Sequence, residues 1–247
     1  MEILKVRVDS VNVRQALEII KGFLISSSQH QIATVNPEFI VDAQTDSHFR
    51  KVLNSTSLNT VDGFGIKLVG WFRKQNLSRC PGVDLIQSLF TADFINQEKI
   101  FLLGGRSGVA YSLQRKLQRE LPNLQVVGAI PGFTDIDNPT LVEYNEIIGT
   151  INKSEPSILL VAYNAPFAQT FIAEWLDKMP SVKVAIGVGG SFDFLIGRVK
   201  RAPRLVRILG LEWLWRLILQ PSRVTRIYKA VFKFLYLAFK ENKITNS

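Results

Sequence analysis

Short apolar runs alternate along the chain with longer stretches in which apolar residues recur every three or four positions. The short runs predict β-strands, and the longer stretches predict amphipathic helices. We expect strands at Ile3–Val8, Gln31–Val35, Ser57–Val61, Lys99–Leu103, Leu124–Ala129, Ser157–Ala162 and Val182–Val188. We expect helices from Asn12 to about Ser26, one or two from Pro37 to about Asn54, and others at Phe64–Phe72, Val83–Phe94, Gly108–Glu120, Asn138–Asn152 and Pro166–Lys178. This alternation indicates an α/β fold with a mostly parallel sheet and helices on both faces.

Several of the predicted strands end in glycine or in a small polar residue. These ends are Thr34-Val35-Asn36, Asp62-Gly63, Gly104-Gly105, Ala162-Tyr163-Asn164 and Gly187-Val188-Gly189-Gly190. In open parallel sheets, ligands bind outside the carboxyl ends of the strands. We therefore expect these segments to line one rim of the sheet, and we predict that this rim is the ligand site.

Charge is distributed unevenly along the chain. The net charge is +9, and the segment from Arg198 to the C-terminus holds 12 of the 30 basic residues but only 2 of the 21 acidic ones. We therefore predict a nearly neutral core at residues 1–197 and a basic C-terminal appendage at residues 198–247. Such an appendage favours a polyanionic partner, either lipid headgroups or nucleic acid.

A helix predicted from about Ser222 carries much of this basic charge on one face. Its cations, at helical spacing, are Arg223, Arg226, Lys229, Lys233 and Lys240. The opposite face carries Val224, Ile227, Val231, Phe232, Leu235 and Phe239. A basic amphipathic helix with aromatic residues is typical of an interfacial membrane segment. The alternative is a helix packed on the core with a solvated polar face. Nucleic-acid binding is disfavoured by the apolar face and by the lack of a recognisable nucleic-acid-binding motif.

Cysteine and histidine are too few for a disulfide or for a Cys/His zinc site. Cys80 is the single cysteine, and His30 and His48 are the two histidines. We expect Cys80 to be a packed residue, because a nucleophilic thiol needs an activating base beside it. The N-terminus lacks a signal-peptide pattern, and no run approaches the ~18–20 apolar residues of a spanning helix. We expect a cytoplasmic protein, peripheral on the inner face of the plasma membrane.

Three short motifs are candidates for chemistry. Gly104-Gly105, between a strand and a helix, lets backbone N–H groups reach a phosphate, although a tight packing turn explains the pair equally well. Asp62, beside glycines at a strand end, is placed to act as a general base, with helix capping as the alternative. Asp135-Ile136-Asp137 resembles a D-x-D metal motif. Turn and capping roles explain it fully, so we expect no metal there.

Longer segments carry a more specific resemblance. They are TVNPEFIVDAQTDSHFRKVLN, TVDGFGIKLV, RCPGVDL, FLLGG, VAIGVGGSFDFLIGRVKRAPRLVRILGLEWLWRL and QPSRVTRIY. Together they resemble the WecG/TagA/CpsF glycosyltransferase family over about residues 1–232. The run from Gly187 to Leu217 is the most specific part of the match.

The resemblance implies a Rossmann-like bacterial enzyme of surface polysaccharide or wall teichoic acid synthesis. Its reaction would move an N-acetylmannosamine-type sugar, or its uronic acid, from UDP to a polyprenyl-diphosphate-linked acceptor. It further implies inversion of the anomeric centre, with no metal and no other cofactor. The implied partners are the UDP-sugar, the lipid-linked acceptor and the membrane surface, and not nucleic acid.

The resemblance also assigns roles to residues by position. Asp62 matches the proposed catalytic base, and Thr34 and Asn36 match pocket residues of a T-x-N-P-E motif. Arg79 matches an arginine of an R-x-P-G-x-D motif, and Asp193 matches a nucleotide-side residue of G-G-x-F-D. The other predicted substrate-binding residues are Gly104, Gly105, Gln169, Gly189, Gly190, Arg204, Arg207, Arg216 and Arg223. The arginines among them match an appendage that completes the site at the membrane.

One segment departs from the family pattern. The family usually has G-[AS]-P-K-Q-E after the strand that is predicted here at Ser157–Ala162, and this chain has Asn164-Ala165-Pro166-Phe167-Ala168-Gln169. The lost Lys-Gln-Glu triplet predicts an altered donor or acceptor pocket. The alternative is a non-catalytic, membrane-associated subunit of a polysaccharide assembly system. The sequence leaves the oligomeric state open, and loss of the appendage would expose apolar surface that promotes self-association.

Overall fold

The computed structural model describes residues 1–105 and 108–245, and the side chains of Ile208, Arg223 and residues 242–245 lie outside that description. The strands are β1 (Glu2–Ile3), β2 (Val6–Arg7), β3 (His30–Val35), β4 (Leu58–Val61), β5 (Lys99–Gly104), β6 (Gln125–Ile130), β7 (Ile158–Ala162) and β8 (Val184–Gly187). Within the described residues, six of them form a parallel sheet in the order β4-β3-β8-β7-β5-β6. The predicted α/β class and parallel sheet are confirmed.

Helices fill the connections between the strands and continue after β8. In the core they are α1 (Val13–Ile25), α2 (Pro37–Thr45), α3 (Ser47–Ser55), α4 (Phe64–Phe72), α5 (Gly82–Phe90), α6 (Val109–Glu120), α7 (Leu141–Ser154), α8 (Phe167–Trp175) and α9 (Ser191–Leu195). Further on come α10 (Arg204–Ile208), α11 (Glu212–Leu219), α12 (Val224–Tyr228) and α13 (Phe234–Thr245). A π-helical segment at Lys229–Lys233 connects α12 directly to α13.

Two predicted boundaries were wrong for local reasons. The helix expected at Asn138 begins at Leu141, because Thr140 and Glu143 form a reciprocal capping box that fixes the start. The helix expected to reach Phe94 ends at Phe90, and a short 3-10 helix follows at Asp93–Gln97. Neither change moves a residue of the predicted ligand rim.

The predicted strand at Ile3–Val8 is wrong, because the chain folds there into a tight hairpin. β1 and β2 pair antiparallel, and the turn residues Leu4 and Lys5 both have positive φ, at 51° and 62°. Such turns usually contain glycine or asparagine, so the sequence carries no signal for this one. Distant groups hold the turn: the Leu4 N–H donates to Glu241 (3.1 Å), and the Leu4 carbonyl accepts from Gln44 (2.9 Å).

The sheet is buried on both faces, as alternate residues of β3 show. Ile32 belongs to an apolar cluster with α1, α5 and α6, whereas Ala33 and Val35 belong to a cluster with α2 and α3 on the opposite face. Further along that opposite face, β5 and β7 pack against α7 and α8. The helices therefore cover both faces, as the sequence predicted, and the ligand rim at the carboxyl ends of the strands is left as the open edge.

The segment from Arg204 onward, here called the arm, returns across the carboxyl end of the sheet and docks on α2 and α4. Phe234 and Ala238 are fully buried in the core cluster that contains Ile40. The arm also forms ion pairs with the core, between Arg226 and Glu38 (2.8 Å), between Lys229 and Asp42 (2.9 Å), and between Glu241 and Arg73 (2.6 Å).

This docking corrects the predicted orientation of the amphipathic helix. Arg226 and Lys229 face α2, because Glu38 and Asp42 lie one helical turn apart and present two carboxylates to them. In the helical stretch from α12 to α13, here called the arm helix, the exposed apolar side chains are instead Val224, Tyr228, Phe232 and Tyr236. They recur every four residues and form an exposed apolar stripe. Among the described residues, no helix combines the length and the apolar character that a bilayer span requires.

Candidate active site

A cavity of about 450 Å³ opens at the carboxyl ends of β3, β4 and β8. The arm covers the open side of this cavity, and residues of α11 and α12 form part of the cavity lining. Seven of the predicted site residues line it: Thr34, Asn36, Asp62, Arg79, Gly189, Gly190 and Arg216. The cavity therefore lies where the strand-end pattern predicted a ligand rim, and its roof comes from the distant C-terminal segment.

Asp62 lies in the cavity wall, at the end of β4. Its backbone N–H donates to the Val35 carbonyl (2.7 Å), and its Oδ2 accepts from the Gly82 N–H (3.1 Å) at the start of α5. The predicted alternative, a cap on the following helix, is not what the structure has, because Gly63 occupies the N-cap position of α4. The Asp62 carboxylate therefore bridges the sheet edge to α5 while facing the cavity.

The environment of Asp62 raises the pKa of its carboxyl to about 6. Burial is the main cause, because desolvation penalises the charged form, and the negative charge of Glu212 adds to it. The Gly82 N–H, Arg79 and Arg216 oppose the rise by favouring the carboxylate. A carboxylate with a pKa near 6 is ionised at neutral pH and still basic enough to accept a proton in a transition state.

Thr34 and Asn36 line the cavity beside Asp62, at the end of the neighbouring strand β3. The Thr34 hydroxyl donates to the Gly187 carbonyl (3.3 Å), which links β3 to β8 beneath the cavity. The Asn36 side-chain oxygen accepts from the Phe39 N–H (3.1 Å) and caps α2. Both residues therefore have a structural role besides lining the cavity.

Four arginines line the cavity: Arg79, Arg201, Arg216 and Arg226. Arg201 pairs with Asp84 (2.5 Å), and the Arg216 guanidinium lies 4.7 Å from the ring centroid of Phe194. Burial lowers the pKa of Arg216 from its usual value. The Nε groups of Arg79 and Arg216 are buried and have no hydrogen-bond partner among the described residues. Unpaired buried guanidinium N–H groups favour an anionic ligand, since phosphate oxygens would satisfy them.

Two carboxylates that were not predicted from the sequence as site residues also line the cavity. Glu212 comes from α11, at 4.0 Å from Arg201, and Glu38 comes from α2, where it pairs with Arg226. Arg226 also donates to the side-chain oxygen of Asn164 (3.2 Å). Glu38 follows the predicted pocket residue Asn36 by two positions, which is a signal that could have found it, whereas Glu212 enters only because the arm folds back.

Gly104 and Gly105, predicted to bind phosphate, do not line the cavity. Gly104 ends β5 and Gly105 follows it. β5 is separated from β4 by β3, β8 and β7, a span of about 19 Å at the usual strand spacing. Both have positive φ, and a Cβ would lie 3.0 Å from the Tyr163 ring at Gly104 and 3.2 Å from Val109 at Gly105. The packing-turn interpretation accounts for both glycines.

Gln169 lies in the interior instead of at the rim. It is fully buried, and its side-chain oxygen and its carbonyl both accept from the Gln31 side chain (2.9 Å each). Phe167, in the segment that departs from the family pattern, packs against Phe133 and Tyr163, with ring centroids 5.1 Å and 5.3 Å apart. The replaced triplet therefore contributes to packing beside the cavity and not to its lining.

Three further predicted residues, Asp193, Arg204 and Arg207, do not line the cavity. Asp193 pairs with Arg198 (3.8 Å), and Arg204 is exposed on α10. The Arg207 side chain donates to the Ala202 carbonyl (3.1 Å), and its own carbonyl accepts from Arg79 (3.4 Å), so Arg207 supports the cavity wall indirectly. The side chain of Arg223 lies outside the described residues.

Cys80 and the Asp135 motif have structural roles, as predicted. Cys80 is fully buried, and burial, with the nearby charges of Asp62 and Asp84, raises its pKa to about 12. Asp135 accepts from the Asp137 N–H (2.9 Å) and from the Asn138 side chain (3.1 Å), as expected of a turn residue. In the part of the chain that the structure describes, no cluster of three His, Cys, Asp or Glu residues could hold a metal ion.

Comparison with known proteins decides the family. The model of the glycosyl transferase WecG/TagA/CpsF family matches residues 1–247. The chain belongs to this family. Two related glycosyltransferases are both named N-acetylglucosaminyldiphosphoundecaprenol N-acetyl-beta-D-mannosaminyltransferase, from Staphylococcus aureus strains MRSA252 and NCTC 8325. Each is 30% identical to this WecG/TagA/CpsF member over 246 residues, covering 98% of this chain and 93% of the relative.

Gly63 is expected to be essential to the placement of Asp62. Its φ is +115°, and a Cβ there would lie 2.8 Å from Pro37. Gly63→Ala should therefore destabilise the fold by about 1–3 kcal/mol and lower activity by displacing the carboxylate. Gly149→Ala, in the open middle of α7, is the control and should stabilise the fold by about 0.5–1 kcal/mol. Urea unfolding of both variants measures the difference, and equal stabilities would contradict the argument.

Proposed function

We propose that this protein transfers an N-acetylmannosaminyl residue, or a closely related N-acetylhexosaminyl residue, from UDP to a polyprenyl-diphosphate-linked N-acetylglucosamine acceptor. The names of the two relatives support the acceptor and the transferred sugar. The observation that carries the proposal is Asp62, a carboxylate with a raised pKa in the wall of a cavity that four arginines also line. The reaction would contribute to bacterial surface polysaccharide or wall teichoic acid synthesis.

The proposed chemistry is a single inverting displacement. The acceptor hydroxyl oxygen attacks the anomeric carbon, Asp62 takes the hydroxyl proton, and the bond from the anomeric carbon to the diphosphate breaks. UDP leaves with the bonding electron pair as negative charge on its β-phosphate. We propose that Arg79 and Arg216 stabilise that charge, because both line the cavity and their buried Nε groups lack partners among the described residues. In this mechanism arginines do the work that a divalent cation does in other glycosyltransferases, and we propose that no metal is required.

We also propose that the protein works at the surface of the cytoplasmic membrane leaflet. Its exposed large apolar side chains include Leu205 on α10, Leu209 just after α10 and Ile218 on α11. Others are Trp71 and Phe72 on α4, and Val224, Tyr228, Phe232 and Tyr236 on the arm helix. Many exposed apolar residues beside basic ones are typical of an interfacial surface. A lipid-linked acceptor requires such a location, because its tail stays in the bilayer.

The purified protein should turn over one of a panel of UDP-sugars with a short-chain diphosphate-linked N-acetylglucosamine acceptor. UDP-N-acetylmannosamine is the expected donor, and activity should persist in excess EDTA. Release of UDP and the anomeric configuration of the product are the measurements. No turnover with any donor would overturn the enzymatic proposal in favour of a non-catalytic subunit, and loss of activity in EDTA that Mg²⁺ restores would overturn the metal-free mechanism alone.

A further inference from the structure

The cavity continues as an apolar groove between α4 and the arm. Phe64 and Leu68 line it on the α4 side, and Val231 and Leu235 line it on the arm side. Each pair is separated by four residues, so the two pairs form rows along facing helices. Phe234 lies beneath them, where a Cβ on Gly65 would be 3.4 Å from its ring, so the two helices approach closely at the floor of the groove.

Both rows lead outward to an aromatic patch at the surface. One turn beyond Leu68, Phe72 contacts Phe239, which lies one turn beyond Leu235, and the ring centroids are 5.0 Å apart. Trp71 packs edge-on against Phe72 (5.0 Å) and is 69% exposed. From Val231 to Phe239 the arm advances about 12 Å. The groove therefore connects the catalytic cavity to an exposed aromatic patch.

The two ends of the groove differ in chemistry. The inner end lies in the cavity that contains Arg79 and Arg216, which suit a diphosphate. The outer end has exposed lysines nearby, at Lys67, Lys74 and Lys240, which suit anionic headgroups. Between the ends, the two rows present aliphatic and aromatic side chains, which suit a hydrocarbon chain better than a peptide with its polar backbone.

We propose that this groove binds the first isoprene units of the acceptor and leads its tail into the bilayer at Trp71. The proposal rests on the proposed function, since it places the lipid part of the same acceptor. It gives the core helix α4 a part in substrate binding and at the membrane, in addition to the arm.

Cross-linking tests the groove without requiring turnover. The full-length protein is irradiated with a farnesyl diphosphate analogue that carries a benzophenone on its last isoprene unit. We expect labelled peptides from Phe64–Phe72 and from Val231–Phe239, with labelling reduced by excess farnesyl diphosphate. Labelling confined to other segments would overturn the proposal, whether or not the protein transfers a sugar.

Substituted variants test the same groove by kinetics. Val231→Trp fills the groove, and Leu68→Ser removes one wall contact and serves if the larger substitution impairs folding. Each should raise the KM for a long-chain acceptor by about 10- to 100-fold, and leave the KM for an acceptor with a short alkyl tail unchanged. Val142→Trp, the same change at an exposed position of α7, is the control and should behave as wild type.

The outcomes separate the two proposals. An unchanged long-chain KM in both groove variants would overturn the groove, and so would an equal rise for both acceptors. A wild-type protein that is labelled in the groove but turns over no donor would support the groove and overturn the proposed transfer.

Discussion

Asp62→Asn is expected to retain UDP-sugar binding and to lower kcat by about 10²–10⁴-fold. Asparagine keeps an oxygen that can accept from the Gly82 N–H, so the local structure should persist, but it cannot take the acceptor proton. Single-turnover kinetics and a titration with UDP-sugar separate the two effects. Turnover close to wild type would remove Asp62 from the role of base.

The pH dependence of kcat/KM, measured for the wild type and for Asp62→Asn, gives a second test of the base. Because the Asp62 pKa is raised to about 6, kcat/KM of the wild type should rise with pH and level off above about 6. The residual activity of Asp62→Asn should lack that rise. If the wild-type profile is flat between pH 5 and 7, another group is the base.

The Asp62→Asn substitution should raise the stability of the fold at neutral pH, although it lowers activity. A carboxyl whose pKa is higher in the folded state destabilises the fold as pH rises from its unfolded value of 3.8 through about 6. The loss reaches about 2–3 kcal/mol above that window, and Asp62→Asn does not have it. The variant should therefore unfold at higher urea concentration than wild type at pH 7, and at a similar concentration below pH 4. Lower stability at pH 7 would show that the carboxylate has stabilising partners.

Among substitutions in the arm, Phe234→Ala should cause the largest loss of folding stability. Phe234 is fully buried between the arm and the core, in the cluster that contains Ile40 and Ile66. Its removal should cost about 3–5 kcal/mol, because it leaves a cavity where the arm docks. The same variant should lose activity, since the docked arm supplies the cavity residues Glu212, Arg216 and Arg226.

Phe232→Ala is the matched control, two positions away on the same segment. Phe232 is 58% exposed, so its removal should change stability by less than about 0.5 kcal/mol. It should instead weaken flotation on anionic liposomes, because Phe232 belongs to the exposed apolar stripe. Thermal melts and flotation of both variants complete the comparison. Equal melting temperatures would contradict the docked arm, and undiminished flotation of Phe232→Ala would place the membrane contact elsewhere.

The sequence predicted those site residues whose position follows from the end of the nearest strand. Asp62 and Asn36 immediately follow predicted strands, and Thr34 is the last residue but one of a predicted strand, so the rule for parallel sheets placed all three at one edge. The same rule placed Gly104 at that edge but could not give its distance from Asp62. Strand order sets that distance, and β5 is four positions from β4 in the sheet.

By itself, the sequence determined the alternation of strands and helices, the parallel sheet, the strand-end position of Asp62 and the resemblance to a glycosyltransferase family. Each depends on spacing and residue type along a short segment. Only the tertiary structure decided that Gln169 is interior, that Leu4 and Lys5 form a turn, and that Arg226 and Lys229 face the carboxylates of α2. Periodicity shows that a helix has two faces, but which face meets the core depends on charges and apolar surface contributed by residues far away in the chain.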